Sequence, residues 1–117
     1  MQAMSDEPLY LGEFEQLLLL AILQCGEGAY TVPIRAILAE RGGRHVTRGA
    51  LFTSLDRLEA KGLVHSSMGE PLAVRGGRAR RYFSVTRAGV MALRATQATV
   101  QTMSEGLDLD ALVERKA

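Results

Sequence analysis

Two groups of side chains in this sequence have the types and spacing to grip a polyanion. The first is Arg75, Arg78, Arg80 and Arg81, four guanidinium groups crowded around the Gly76-Gly77 pair. The second is the run Thr47-Arg48-Gly49-Ala50-Leu51-Phe52-Thr53, with Arg57 a turn further on, in which hydrogen-bonding side chains alternate with small ones. Guanidinium forks match phosphate oxygens two at a time, and on a duplex each neutralised phosphate releases condensed counterions. The same forks pair with the acceptors on the major-groove edge of guanine. Over residues 35–87 eleven Arg or Lys stand against four acids (Glu40, Asp56, Glu59 and Glu70), whereas the rest of the chain has three bases against nine acids. The formal net charge of +1 therefore hides a basic centre between acidic ends. A solvated basic face would give the same count, so the choice rests on the elements that carry the arginines.

Other chemistries lack their residues. Gly76-Gly77 followed by bases suggests a phosphate loop, but the Walker spacing and its Lys-Ser or Lys-Thr ending are missing. His45 and His65 are isolated and Cys25 has no companion at ligand spacing, so no metal site is expected. Cys25 closes an apolar segment, where a small buried thiol is the common role. No catalytic residue and no cofactor are predicted, and the chain is not expected to be an enzyme. One cysteine makes no intrachain disulfide, in keeping with a reducing compartment. The longest apolar run, Leu17 to Leu23, is seven residues, far too short to cross a bilayer. Met1 to Pro8 lacks the pattern of a secretory signal, so residence in the cytoplasm is predicted.

The 117 residues allow one core and little more. Leu11, Phe14, Leu18, Ala21 and Ile22 recur at helical intervals until Gly26 and Gly28 stop them. A second helix opens near Thr31, whose hydroxyl is placed to cap it, with Pro33 in the first turn and Ile34, Ile37 and Leu38 inward. A third has Thr47 as cap, Leu51, Leu55 and Leu58 on one stripe and Gly62 as its stop. Opposite that stripe lie Gly49, Thr53, Asp56, Arg57 and Ala60, a slim polar face of the kind that enters a major groove; nothing packing there would leave the same residues. His65 to Glu70 and Arg80 to Val85 read as two strands of an antiparallel ribbon turning at Gly76-Gly77, with an arginine-rich tip. Thr86 caps a long last helix, along which Leu93, Thr96, Val100, Met103 and Leu107 step by threes and fours. That seam either packs on its own domain or on a second copy, and pairing is favoured because the helix should outrun a core of about 85 residues. Gly106 should break or bend it; residues 108–117 either continue as a short acidic helix or fray.

These residues resemble the PadR-like transcriptional regulators, from about Leu9 to Met103. The strongest portion is Thr47 to Val64, with its small-residue start, Leu-aromatic step and Arg-Leu-Glu ending; the second is Gly77-Arg78-Ala79-Arg80-Arg81-Tyr82-Phe83, followed by Val85-Thr86-Arg87-Ala88-Gly89. Leu17 to Leu23 and Tyr30 also fit. Ala50, Phe52 and Thr53 stand where the family usually has Thr, Tyr and Pro, and Thr31 where a Gly is common, so base preference does not carry over. The resemblance implies a homodimer paired through the first and last helices, here with the single C-terminal helix of the smaller subfamily, and a repressor released by a small molecule. Some relatives hold planar drugs between tryptophans, and this chain has no tryptophan.

The expected fold is α+β, mostly helical: a winged helix-turn-helix with a two-stranded wing and a long C-terminal helix. Residues 1–8 are read as a tail, 9–86 as the DNA-binding domain and 87–117 as the dimerisation helix with its tail. Tyr30, Thr31, Arg35, Thr47, Arg48, Gly49, Ala50, Thr53, Arg57, Arg75, Gly76, Gly77, Arg78, Arg80 and Arg81 are expected at double-stranded DNA with a roughly palindromic operator. Leu11, Phe14, Leu18, Leu93, Thr96, Val100, Met103 and Leu107 are expected at the dimer interface, and no membrane partner is expected. The competing expectation is a winged-helix module that docks another protein.

Overall fold

The computed structural model describes residues 10–70 and 79–116. Helices α1 (Glu13–Cys25), α2 (Thr31–Glu40) and α3 (Arg48–Ala60) precede strands β1 (Val64–Met68) and β2 (Arg81–Val85), and then come α4 (Arg87–Ser104) and α5 (Leu109–Lys116). This is the expected mostly helical winged helix-turn-helix. The strands pair antiparallel, from Val64 opposite Val85 to Met68 opposite Arg81. The Gly76-Gly77 turn lies outside the described residues.

Each helix begins and ends for a local reason. Thr47 sits in extended backbone and its Oγ1 accepts from the Ala50 amide at 3.1 Å, which starts α3. At the other end Gly62 takes φ +78°, its amide donates to Glu59 O and the Leu63 amide donates to Leu58 O at 3.0 Å. This paired closure stops the helix and turns the chain into β1. Thr86 caps α4 in the same way through the Gly89 amide, while its hydroxyl donates to Gly62 O at 2.7 Å and so joins the end of α3 to the start of α4. α2 departs from expectation: Tyr30, not Thr31, is the residue before the first turn, it makes no side-chain cap, and Thr31 is already helical.

The leucine stripes meet in one core. Leu18, Leu19 and Ile22 of α1, Ile34 and Leu38 of α2, and Leu51, Leu55 and Leu58 of α3 are fully buried, and Leu63, Val64 and Phe83 bring the sheet against them. Each such side chain contributes about 1.5–3 kcal/mol of burial. No polar or charged residue is buried among the described residues. β2 also reaches back to the first helical unit, since the Phe83 amide donates to Ala29 O at 2.8 Å. α4 crosses the sheet so closely that a Cβ on Gly89 would lie 2.3 Å from Leu63 O. Only its first turns are in the core, through Gly89, Ala92 and Leu93. At 1.5 Å per residue its 18 residues run about 27 Å, so most of its length leaves the domain. Gly106, at φ +83°, ends this arm, and α5 follows as a short helix where the sequence had left helix or fraying open.

Candidate nucleic-acid interface

The first turns of α2 and α3 and the root of the wing face one open groove of about 490 Å³. Arg35 enters it from α2, Arg48 from α3, and Arg80 and Arg81 from the wing, with Tyr30 and Thr31 at its edge. Residues far apart in sequence thus converge, because Glu13, Glu15 and Glu59 tie the elements together. Glu13 of α1 pairs with Arg44 in the loop before α3. Glu15 pairs with Lys61 at the end of α3. Partial burial pushes the Glu15 carboxyl up, but hydrogen bonds from Lys61 and the Gly12 amide, with the nearby charge of Arg57, hold it below its ordinary value. The third tie, Glu59, accepts from the Ser66 amide at 3.1 Å and from the Ser66 hydroxyl at 2.9 Å, and takes the Arg81 guanidinium at 2.8 Å. These bonds, that from the Ser66 hydroxyl first, keep its carboxyl below the usual range.

Arg81 is consequently engaged inside the protein. Besides Glu59 it reaches Asp56 at 3.1 Å and donates from Nε to Ser66 Oγ at 3.1 Å. Expected at DNA, it lines the groove and also ties the wing to α3 through two carboxylates. Arg35, Arg48 and Arg80 have no acid partner among the described residues. Each is held by something weaker. Arg35 Nε donates to Val46 O at 3.1 Å, Arg48 lies over the Phe52 ring at 5.8 Å, and Arg80 stacks on Tyr30 at 4.3 Å. Tyr30 is itself braced edge-on by Tyr82, with centroids 5.7 Å apart. Such stacking aims a guanidinium while leaving its donors free for a phosphate or a base.

Thr47, Arg48, Gly49, Ala50, Thr53 and Arg57 are all exposed, so the slim face of α3 is open to solvent. Arg57 lies on the flank towards α1, where its charge acts on Glu15. Arg75, Gly76, Gly77 and Arg78 lie outside the described residues. The groove is not wholly cationic: Val32, Phe52 and Met68 line it too, a contribution the period of α2 and β1 did not announce. The ion pairs of Glu13, Glu15 and Glu59 had no local signal either, since the cations that donate to them are 22 to 46 residues away.

The residues expected to pair two chains separate into three sets. Leu11, Leu18 and Leu93 are 7%, 0% and 4% exposed and belong to the core of their own chain. Phe14 and Thr96 are half-buried. Val100 and Met103 are 57% and 74% exposed towards the end of α4, and Leu107, 58% exposed, falls past the turn at Gly106, so the expected seam does not run through it as one helical stripe. As for other chemistry, no group of three or more potential metal ligands occurs among the described residues. Burial pushes the Cys25 thiol up, away from the thiolate a nucleophile needs. No helix among the described residues is long and apolar enough to cross a membrane.

The model of the family described as "Transcriptional regulator PadR-like family" matches residues 19–95. Among solved structures, the chain is similar to a PadR family transcriptional regulator from Eggerthella lenta, at 27% identity and TM-score 0.62 over 85% of this chain and 82% of that one. It is similar as well to a PadR-like transcription factor from Bacteroides fragilis, at 25% identity and TM-score 0.59 over 86% and 88% of the two chains. A PadR family regulator from Clostridium difficile, at 23% identity and TM-score 0.62 over 77% and 90%, shares the fold. No curated protein sequence matches the chain.

Proposed function

The chain belongs to the PadR-like family of transcriptional regulators, DNA-binding proteins that are in general not enzymes, and from that premise we propose how this member works. It binds a roughly palindromic duplex site as a homodimer and represses transcription until a small molecule releases it. The observation that supports DNA as the partner is the convergence of Arg35, Arg48 and Arg80, three cations with no acid partner among the described residues, on one groove beside the exposed first turns of α3. α3 enters the major groove with Thr47 to Arg57, and the wing reaches the adjacent backbone. Arg48 and Arg57 serve base or phosphate, and Arg35 and Arg80 serve phosphate. Arg75, Gly76, Gly77 and Arg78, which lie outside the described residues, are assigned to the same contact on their sequence alone.

The homodimer rests on Val100 and Met103 of α4 and Leu107 just past Gly106, apolar side chains that the described residues leave exposed at the far end of the helix. Pairing would bury them and place two copies of α3 on one face, as a palindrome requires. Repression and its release by an effector rest on the family alone. A gel shift with the DNA upstream of the protein's own gene tests the reading: it predicts retention at concentrations that leave random duplex of equal length free. Equal binding to both would point to a module that docks proteins.

A further inference from the structure

The base-reading chemistry of α3 follows from which hydrogen-bond donors its outward face lacks, given that this face reads DNA as proposed above. Between Arg48 and Arg57 the exposed side chains are Gly49, Ala50, Thr53 and Asp56. Gly49 offers no group and Ala50 a methyl. The Thr53 hydroxyl spends its one proton on Gly49 O at 3.1 Å, so the side chain keeps a methyl and a lone pair. Asp56, an acceptor only, lies 3.1 Å from Arg81. Val32, 63% exposed, adds further methyl groups from α2 at the side of the groove that α3 shares.

In the major groove purines present acceptors at N7, and guanine a second at O6, which call for donors; thymine presents a methyl group, which calls for apolar contact. Between the two arginines the exposed side chains of this face offer two methyls and no free donor, Ser54 being half-buried at its margin, and they are matched to the second. We infer that Ala50 and Thr53 read thymine through its 5-methyl group, which leaves Arg48 and Arg57 as the donors for a neighbouring guanine or phosphate. The half-site then carries thymine beneath the first two turns of α3. These are two of the positions at which the chain departs from the usual residues of its family, so the preference belongs to this chain.

The test starts from duplexes enriched by the full-length protein from a random library. Each thymine of the recovered site is replaced in turn by deoxyuridine, which keeps every hydrogen-bonding group and deletes the methyl. One or two positions in each half-site should weaken binding about fourfold each, the scale of one buried methyl group. Thr53→Ser keeps the hydroxyl and removes the side-chain methyl, so one of those positions should become indifferent to uracil in the variant. An enriched site that binds equally well with uracil throughout, or a Thr53→Ser protein that keeps the full wild-type sensitivity, overturns the inference alone. A library that yields no enriched sequence overturns it together with the DNA-binding reading.

Discussion

The guanidinium of Arg81 lies 2.8 Å from Glu59 Oε1, joining the root of the wing to the last turn of α3 across 22 residues of sequence. Ser66 stands between them, donating to Glu59 from its hydroxyl and accepting from Arg81 Nε. Arg81, Ser66 and Glu59, with Asp56 beside them, thus brace the wing against α3. Arg81→Ala should preserve the helical core yet loosen the wing, so that specific binding weakens more than helical circular dichroism changes. Loss of both signals in parallel would show instead that the cluster holds up the whole domain.

The same cluster gives a pH dependence with a definite sign. Glu59 is held below its ordinary value of 4.5, so its contribution to stability is fully present above that pH and is lost as the pH falls through the lowered folded value. Glu15, also lowered from 4.5, acts in the same direction. Glu59→Gln should flatten the fall in Tm below about pH 4.5, and adding Glu15→Gln should flatten it further. An acid limb identical in wild type and double variant would dismiss both carboxylates as its source.

Arg48 and Arg80 should fail differently. Arg48→Ala, on the base-reading helix, is expected to cost about 1–3 kcal/mol at the specific site and to relax selectivity there. Arg80→Ala, on the wing, should weaken specific and random duplex alike. Tyr30→Leu removes the ring beneath Arg80 and should give part of that loss, on the order of 0.5–1 kcal/mol. Affinities for a specific and a random duplex, measured side by side, separate these patterns.

Gly89 has little room for change. A Cβ there would meet Leu63 O at 2.3 Å and Val85 Cγ1 at 2.6 Å, and the first of these is backbone. Gly89→Ala should destabilise the fold by about 1–3 kcal/mol, the usual range for an overpacked site. A thermal melt equal to wild type would mean that α4 can lift off the sheet at no cost.

On the arm, Met103→Asp puts a charge into the exposed apolar end of α4. The homodimer reading predicts that sedimentation shifts from dimer towards monomer while the far-ultraviolet spectrum is retained, and that binding to the specific site falls with it. A wild-type protein that sediments as a monomer at micromolar concentration would remove the premise.

Much of this architecture was legible because its signals are local. Thr47 and Thr86 announce helix starts, Gly62 and Gly106 announce stops, and the 51-55-58 leucine stripe orients α3 with its slim face outward. What sequence could not assign was competition between side chains for one partner. Arg80 and Arg81 are adjacent and chemically identical, yet strand alternation sends one onto Tyr30 and the other to Glu59. The last helix shows the same effect. Leu93 and Met103 belong to one periodic stripe, but the first is held in the core by the close crossing at Gly89 and the second projects beyond it.

If arginines from α2, α3 and the wing form one phosphate-gripping surface, the dependence of affinity on salt must run through them. Wild-type protein should lose affinity steeply as salt rises, and the Arg35→Ala/Arg48→Ala/Arg80→Ala variant should show a log-log slope shallower by about 0.9 for each phosphate contact removed. A triple variant with the wild-type slope would contradict the account, because the three cations would then touch no phosphate.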